Sequence, residues 1–188
     1  MIRRSIAAAV LLLSSTLAFA QMSGRRREAS QPVPADAASV DAIVAALYGS
    51  VSHAPDALPD FDRMRAIFLP VGMLIPPKKP SEDIFTTLDV DGFADRVKKG
   101  AATKKEKGEP LGFVERELSR RTDCFGNVCQ VFSTYEAKTA ASDEKPLARG
   151  INSIQLVRDG KRWWIASVIW DVERADNPLP AQYLPPGK

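Results

Sequence analysis

The stretch Cys124-Phe125-Gly126-Asn127-Val128-Cys129 constrains this chain more tightly than any other segment. Glycine followed by asparagine suits the two-residue loop of a II′ hairpin, whose first position needs a positive φ. With Gly126 and Asn127 as that loop, Phe125 and Val128 close the turn, and Cys124 and Cys129 are the next pair out. Such a pair is of the non-hydrogen-bonded kind, with Cα atoms about 4.5 Å apart, within the span of a disulfide. The spacing therefore predicts a Cys124–Cys129 disulfide laid directly across an antiparallel hairpin. The loop it closes is tiny, so its entropic gain sits at the low end and its job is to pin register. A redox-active pair would have the tighter C-x-x-C spacing at a helix start.

Around this hairpin the last third of the chain reads as β-structure, with strands near 112–124, 129–138, 150–158 and 163–173. Asp159-Gly160 supplies the second joint, a I′ turn or a slightly longer loop. Trp163, Trp164 and Trp170 crowd the final strand. Regular alternation places Trp164 and Trp170 on one face, with Trp163 and Asp171 on the other.

Upstream the period changes. Val40, Ile43, Val44, Leu47, Tyr48 and Val51 form one apolar helical stripe, with Ser39 placed to cap it. A second helix is expected from Asp60 to Phe68, stopped by Pro70. Short strands follow at Val71–Ile75 and Ile84–Leu88, then a third helix over Gly92–Lys99 capped by Asp91. The lysine-rich segment from Lys98 to Pro110, with its glycine and proline breakers, reads as a mobile basic loop.

Residues 1–20 have the form of a secretory signal peptide. Arg3 and Arg4 precede an apolar run from Ile6 to Leu13, and Ala18-Phe19-Ala20 offers small residues at the cleavage positions. The run is short for a bilayer-spanning helix, which takes about 20 apolar residues. The expected organisation is a signal peptide at 1–20, a flexible leader at 21–37, one domain at 38–175 and a Pro-rich tail at 176–188. Export to the periplasm or beyond is also the setting in which the cysteine pair oxidises. Of the chain's formal charge of +3, Arg3 and Arg4 account for two, so the remainder gives no reason to expect nucleic acid as a partner. No later stretch is apolar enough to span a membrane.

The chemistry-bearing residues exclude several reaction classes. His53 is the single histidine, in a Pro-flanked turn, so a Ser-His-Asp or Cys-His centre has only that imidazole to draw on. One histidine and two oxidised cysteines make no metal site. No phosphate-binding glycine loop is present, and no cofactor is expected. Carboxylates remain: Asp60 and Asp62 at the second helix start, Glu115, Glu117 and Glu136 in strands, and Asp171 in the last strand. Any of them held in an apolar pocket would make a general base, and the sequence alone does not say which is buried.

The order helix, helix, short strands, helix, four long antiparallel strands resembles the nuclear transport factor 2-like superfamily, also called cystatin-like. PDFDRMRAIFLPVGMLIP at 59–76, CFGNVCQVFSTYEAK at 124–138 and RGINSIQLVRDGKRWWIASVIWDVE at 149–173 carry the resemblance. It implies an α+β fold in which N-terminal helices pack on a strongly curved antiparallel sheet forming a cone. The superfamily includes ketosteroid isomerases, polyketide cyclases, dehydratases and non-catalytic modules, so fold alone does not give activity.

Three readings follow. The preferred one is non-catalytic binding of a small apolar ligand in the cone, lined by Tyr48, Phe68, Asn152, Trp164 and Trp170. The second is an isomerase, cyclase or dehydratase with Asp62 or Asp171 as proton acceptor beside Tyr48. The third is an interaction module that forms a homodimer through its sheet.

Overall fold

A computed structural model describes residues 34–185; the expected signal peptide at 1–20 and most of the expected leader at 21–37 lie outside the described residues. Three helices, α1 (Val40–Val51), α2 (Phe61–Ile67) and α3 (Val90–Glu106), accompany five strands. The strands are β1 (Phe68–Ile75), β2 (Val114–Phe125), β3 (Val128–Lys138), β4 (Ala148–Arg158) and β5 (Trp163–Val172). They form one sheet in the order β1-β5-β4-β3-β2. This is the expected α+β cone: a curled, open sheet with its helices on one side.

The sheet is not wholly antiparallel. β2 to β5 pair as successive hairpins, but β1 joins β5 in parallel, because it runs straight out of α2 on the same edge. Curl comes from two extra residues. Glu117 pairs with Tyr135 and Ser119 with Thr134, leaving Leu118 bulged in β2. Likewise Gln155 faces Ser167 and Leu156 faces Ile165, leaving Ala166 bulged in β5. A bulge bends its strand, and it shifts side-chain parity by one, so residues on its two sides alternate out of phase.

The hairpin at residues 124–129 forms as its sequence dictates. Gly126 takes φ 57 while Asn127 stays at negative φ, the II′ pattern. Cys124 and Cys129 are cross-strand partners joined by a disulfide, with Cα atoms 4.1 Å apart. The second joint is the longer form, with Arg158 opposite Trp163 and Gly160 at φ 91.

The helices begin where small polar side chains meet free N–H groups. Ser39 Oγ accepts from the Ala42 N–H at 3.0 Å, and Asp60 Oδ1 from the Arg63 N–H at 2.9 Å. The stripe on α1 packs into the sheet, with Ile43 and Val44 fully buried beside Met64, Ile67, Val131, Ile154 and Ile165.

Five local expectations are corrected. Asp89, not Asp91, caps α3 through the Gly92 N–H, and the helix starts at Val90 and runs to Glu106. Most of the expected basic loop is therefore helical, since Gly100 is tolerated inside a run of Ala, Lys and Glu. Ile84–Leu88 is not a strand; only Leu88 pairs, as a bridge to Leu74. Phe68 opens β1 rather than closing α2. The leader is ordered at its end, where Pro34–Ala37 forms a 3-10 turn and Asp36 holds Arg63 through two hydrogen bonds of 2.7 and 2.8 Å.

Beyond β5 the chain crosses the outer face of the sheet. The Tyr183 carbonyl accepts from the Ser119 hydroxyl and, at 2.7 Å, from that of Thr134. The Tyr183 ring sits edge-on to Phe132 at 5.0 Å, with the Arg121 guanidinium over it at 5.2 Å. No described helix is long and apolar enough to cross a membrane.

Candidate functional site

Between the inner face of the sheet and the helices lies a cavity of about 250 Å³. Its walls are mostly apolar: Leu47 and Val51 from α1, Phe93 from α3, Val168 and Trp170 from β5. Three polar side chains reach it from the sheet, Glu115, Tyr135 and Asn152, with Tyr48 from α1. A concave, apolar enclosure with a few converging polar groups is the usual form of a small-molecule site.

Glu115 is placed by two devices. The Leu118 bulge turns Phe113, Glu115 and Glu117 to the inner face, although plain alternation counted from the Cys124–Cys129 pair would put them outside. Then the C-terminus of α1 fastens this stretch. Ser52 Oγ accepts from the Glu115 N–H at 3.0 Å and donates to the Tyr48 carbonyl at 2.8 Å. One residue on, His53 and Phe113 exchange backbone hydrogen bonds of 2.6 and 3.0 Å.

The polar groups form a directed chain. Ser133, fully buried, donates from its hydroxyl to Glu117 Oε1, and Glu117 Oε2 pairs with Arg120 at 2.9 Å. A serine has one proton to give, so the Tyr48 hydroxyl, 2.7 Å away, must donate to Ser133. Tyr48 Oη then accepts from Asn152 Nδ2 at 3.2 Å, and the same amide nitrogen donates to Glu115 Oε1 at 3.1 Å. The Tyr48 proton thus points away from the cavity and is unavailable to a ligand.

Burial among apolar neighbours pushes the Glu115 carboxyl up to about 7, with the Asn152 amide pulling it partly back. The acid and the carboxylate are therefore both within reach near neutral pH. Tyr135 lies diagonally from it on the same face, since Glu117 and Ala137 are the direct cross-strand partners. Its hydroxyl has no hydrogen bond to any described residue. Its ring lies against Gly150, where a Cβ would collide with the Asp171 backbone carbonyl oxygen and come within 2.7 Å of the phenol oxygen, so a side chain there would disturb both the β4–β5 pairing and the tyrosine. Burial, and the negative charge of Glu115, raise the Tyr135 hydroxyl and keep it protonated.

Of the lining residues expected from the sequence, Tyr48, Asn152 and Trp170 come together at this cavity, and Phe68 and Trp164 do not. Phe68 is packed solid in the core. Trp164 is on the outer side of the sheet because the Ala166 bulge puts it out of phase with Trp170. There it stacks under the Arg162 guanidinium at 3.4 Å and donates from Nε1 to Asp159 Oδ2 at 2.7 Å, fastening the β4–β5 turn. Neither proposed proton acceptor reaches the cavity. Asp62 is almost fully exposed and pairs with Arg65, and Asp171 is exposed and pairs with Arg174. Glu115 stands where they were expected. Among the described residues no cluster of metal-ligating side chains occurs.

No protein-family model matches the chain, and no curated protein matches it. Solved structures with similar architecture include the beta subunit of benzoate 1,2-dioxygenase from Burkholderia mallei, at 14% identity and TM-score 0.49, covering 78% of this chain and 97% of that one. A nuclear transport factor 2-like protein from Silicibacter pomeroyi is similar at 13% identity and TM-score 0.45, covering 72% and 94%. A protein with a cystatin-like fold from Nostoc punctiforme is similar at 11% identity and TM-score 0.45, covering 62% and 78%.

Proposed function

We propose that this is an exported single-domain protein that binds a small, largely apolar molecule carrying one oxygen function, held in the cone cavity by Glu115 and Tyr135. The observation that carries the reading is the pairing of a neutral-range carboxyl with an uncommitted tyrosine hydroxyl inside an apolar enclosure. A cavity of about 250 Å³ exceeds the 150 Å³ or so that admits benzene, so a body of one or two rings fits. Either protonation state of Glu115 serves, as donor to a carbonyl or as acceptor from a hydroxyl. The disulfide supports export.

The probe is 2-tetralone, a two-ring ketone. Calorimetric titration should show it binding the wild-type protein, and Ala148→Phe, which fills the cavity edge, should abolish binding with an unchanged far-ultraviolet spectrum. No binding to the wild type, or equal binding to the filled variant, would overturn the reading.

The position of Glu115 also favours a second reading, proton-transfer catalysis. As carboxylate it would take a proton from the carbon beside a ketone, while Tyr135 donates to the oxygen on which negative charge builds. Nuclear magnetic resonance of 2-tetralone in deuterated buffer tests this. Exchange of its α-protons should run above the buffer rate and fall to it in Glu115→Gln. Equal rates with and without protein remove the catalytic reading and leave the binding one.

A further inference from the structure

A second cavity, of about 230 Å³, opens next to the first between α3 and the segment after α1. Val51, Phe93 and Phe113 line both, so these three residues stand between the two cavities. Phe93 meets Trp170 edge-on at 6.4 Å on the inner side, and Phe113 stacks on the His53 ring at 6.4 Å on the outer side. Aromatic rings in such a partition can turn aside for a ligand that replaces their contacts.

The lining of the outer chamber is apolar apart from His53 and one charged side chain, the exposed Lys104 on α3. Gly100 and Ala101 on α3 are small residues in its lining, and a Cβ at Gly100 would meet nothing within 4 Å. His53 donates from Nδ1 to the Ala54 carbonyl at 3.0 Å, which holds the ring as a wall. Lys104, in the last turn of α3, lines the chamber and makes no ion pair with any described residue.

We infer that the two chambers together take one elongated amphipathic acid: a hydroxyl or carbonyl at the inner end against Glu115 and Tyr135, an apolar body passing Phe93 and Phe113, and an anionic head at Lys104. The inference rests on the reading of the inner cavity as a ligand site. It adds the substrate class, an oxygenated carboxylic acid rather than a neutral apolar molecule.

Two probes of equal length test it, 8-hydroxyoctanoate and 1,8-octanediol, which differ only in the anionic head. Calorimetric titration at low salt and pH 7 is run on the wild type and on Lys104→Gln, a surface change that leaves the core intact. The acid should bind the wild type about tenfold more tightly than the diol, and Lys104→Gln should bring the two within twofold while leaving the diol's affinity unchanged. Equal affinities in the wild type, or a preference that survives Lys104→Gln, overturn the head-group assignment while the inner-cavity reading stands. If neither probe binds while 2-tetralone does, the elongated-acid inference falls and the inner-cavity reading stands; if 2-tetralone also fails to bind, both fall.

Discussion

One amide nitrogen, Asn152 Nδ2, donates to both Glu115 Oε1 and Tyr48 Oη, at 3.1 and 3.2 Å. This shared donor joins the cavity carboxyl to a chain of hydrogen bonds that ends at Glu117 and Arg120. It sets both the orientation of Glu115 and part of its acidity.

Asn152→Ala should therefore do two things. Leaving Glu115 and Tyr48 without this donor should destabilise the fold by about 2 kcal/mol, the cost of unsatisfied buried polar groups. Losing the bond that favours the carboxylate should also raise the Glu115 midpoint above its wild-type value of about 7. Urea denaturation across pH 5 to 8 reads both effects.

Glu115 also makes stability depend on pH in an unusual direction. Its folded value of about 7 lies above the ordinary 4.5. Below the lower value both states are protonated and the group contributes nothing. Between the two values the unfolded chain ionises while the folded one does not, so stability falls as pH rises, reaching a constant deficit of about 3 kcal/mol above the upper value. Glu115→Gln should lose this slope. The difference between wild type and variant, measured by urea denaturation at pH 4, 6 and 8, isolates it from other titrating groups.

The disulfide encloses a short loop, Cys124 and Cys129 being five positions apart. Replacing both cysteines by serine should cost about 2 kcal/mol, the low end for such bonds. Calorimetric melting should show a drop of several degrees, with the far-ultraviolet spectrum retained because the hairpin's hydrogen bonds remain.

At the tail, Tyr183→Ala keeps the carbonyl that accepts from Ser119 and Thr134. Truncation after Asp176 removes it. Thermal melting should show the truncation to be the more destabilising change, since it leaves Thr134, buried to 1% exposure, without its acceptor.

Much of this architecture is legible in residue order. The α1 stripe, the Ser39 cap, the four hairpin strands and the Cys124–Cys129 pairing follow from local periodicity and turn chemistry, which act within a few residues. The site is less legible, for one physical reason seen twice. Bulges at Leu118 and Ala166 shift side-chain parity in β2 and β5. Alternation counted from one end of each strand therefore gives the wrong face at the other, placing Trp164 with Trp170 and hiding Glu115 among several equivalent strand carboxylates. Neither bulge has a glycine or proline to announce it. Lys104 escaped for a different reason: Gly100 reads as a breaker, yet the surrounding helix formers carry α3 past it.

The central claim, that the cone holds a carboxyl poised for a ligand at neutral pH, rests on one group. Its most direct test is a carbon-13 titration of the side-chain carboxyls, with the Glu115 signal assigned by its loss in Glu115→Gln. A midpoint near 7 is the expected result. A midpoint near 4.5, with the carboxyl ionised and solvated at neutral pH, would contradict it.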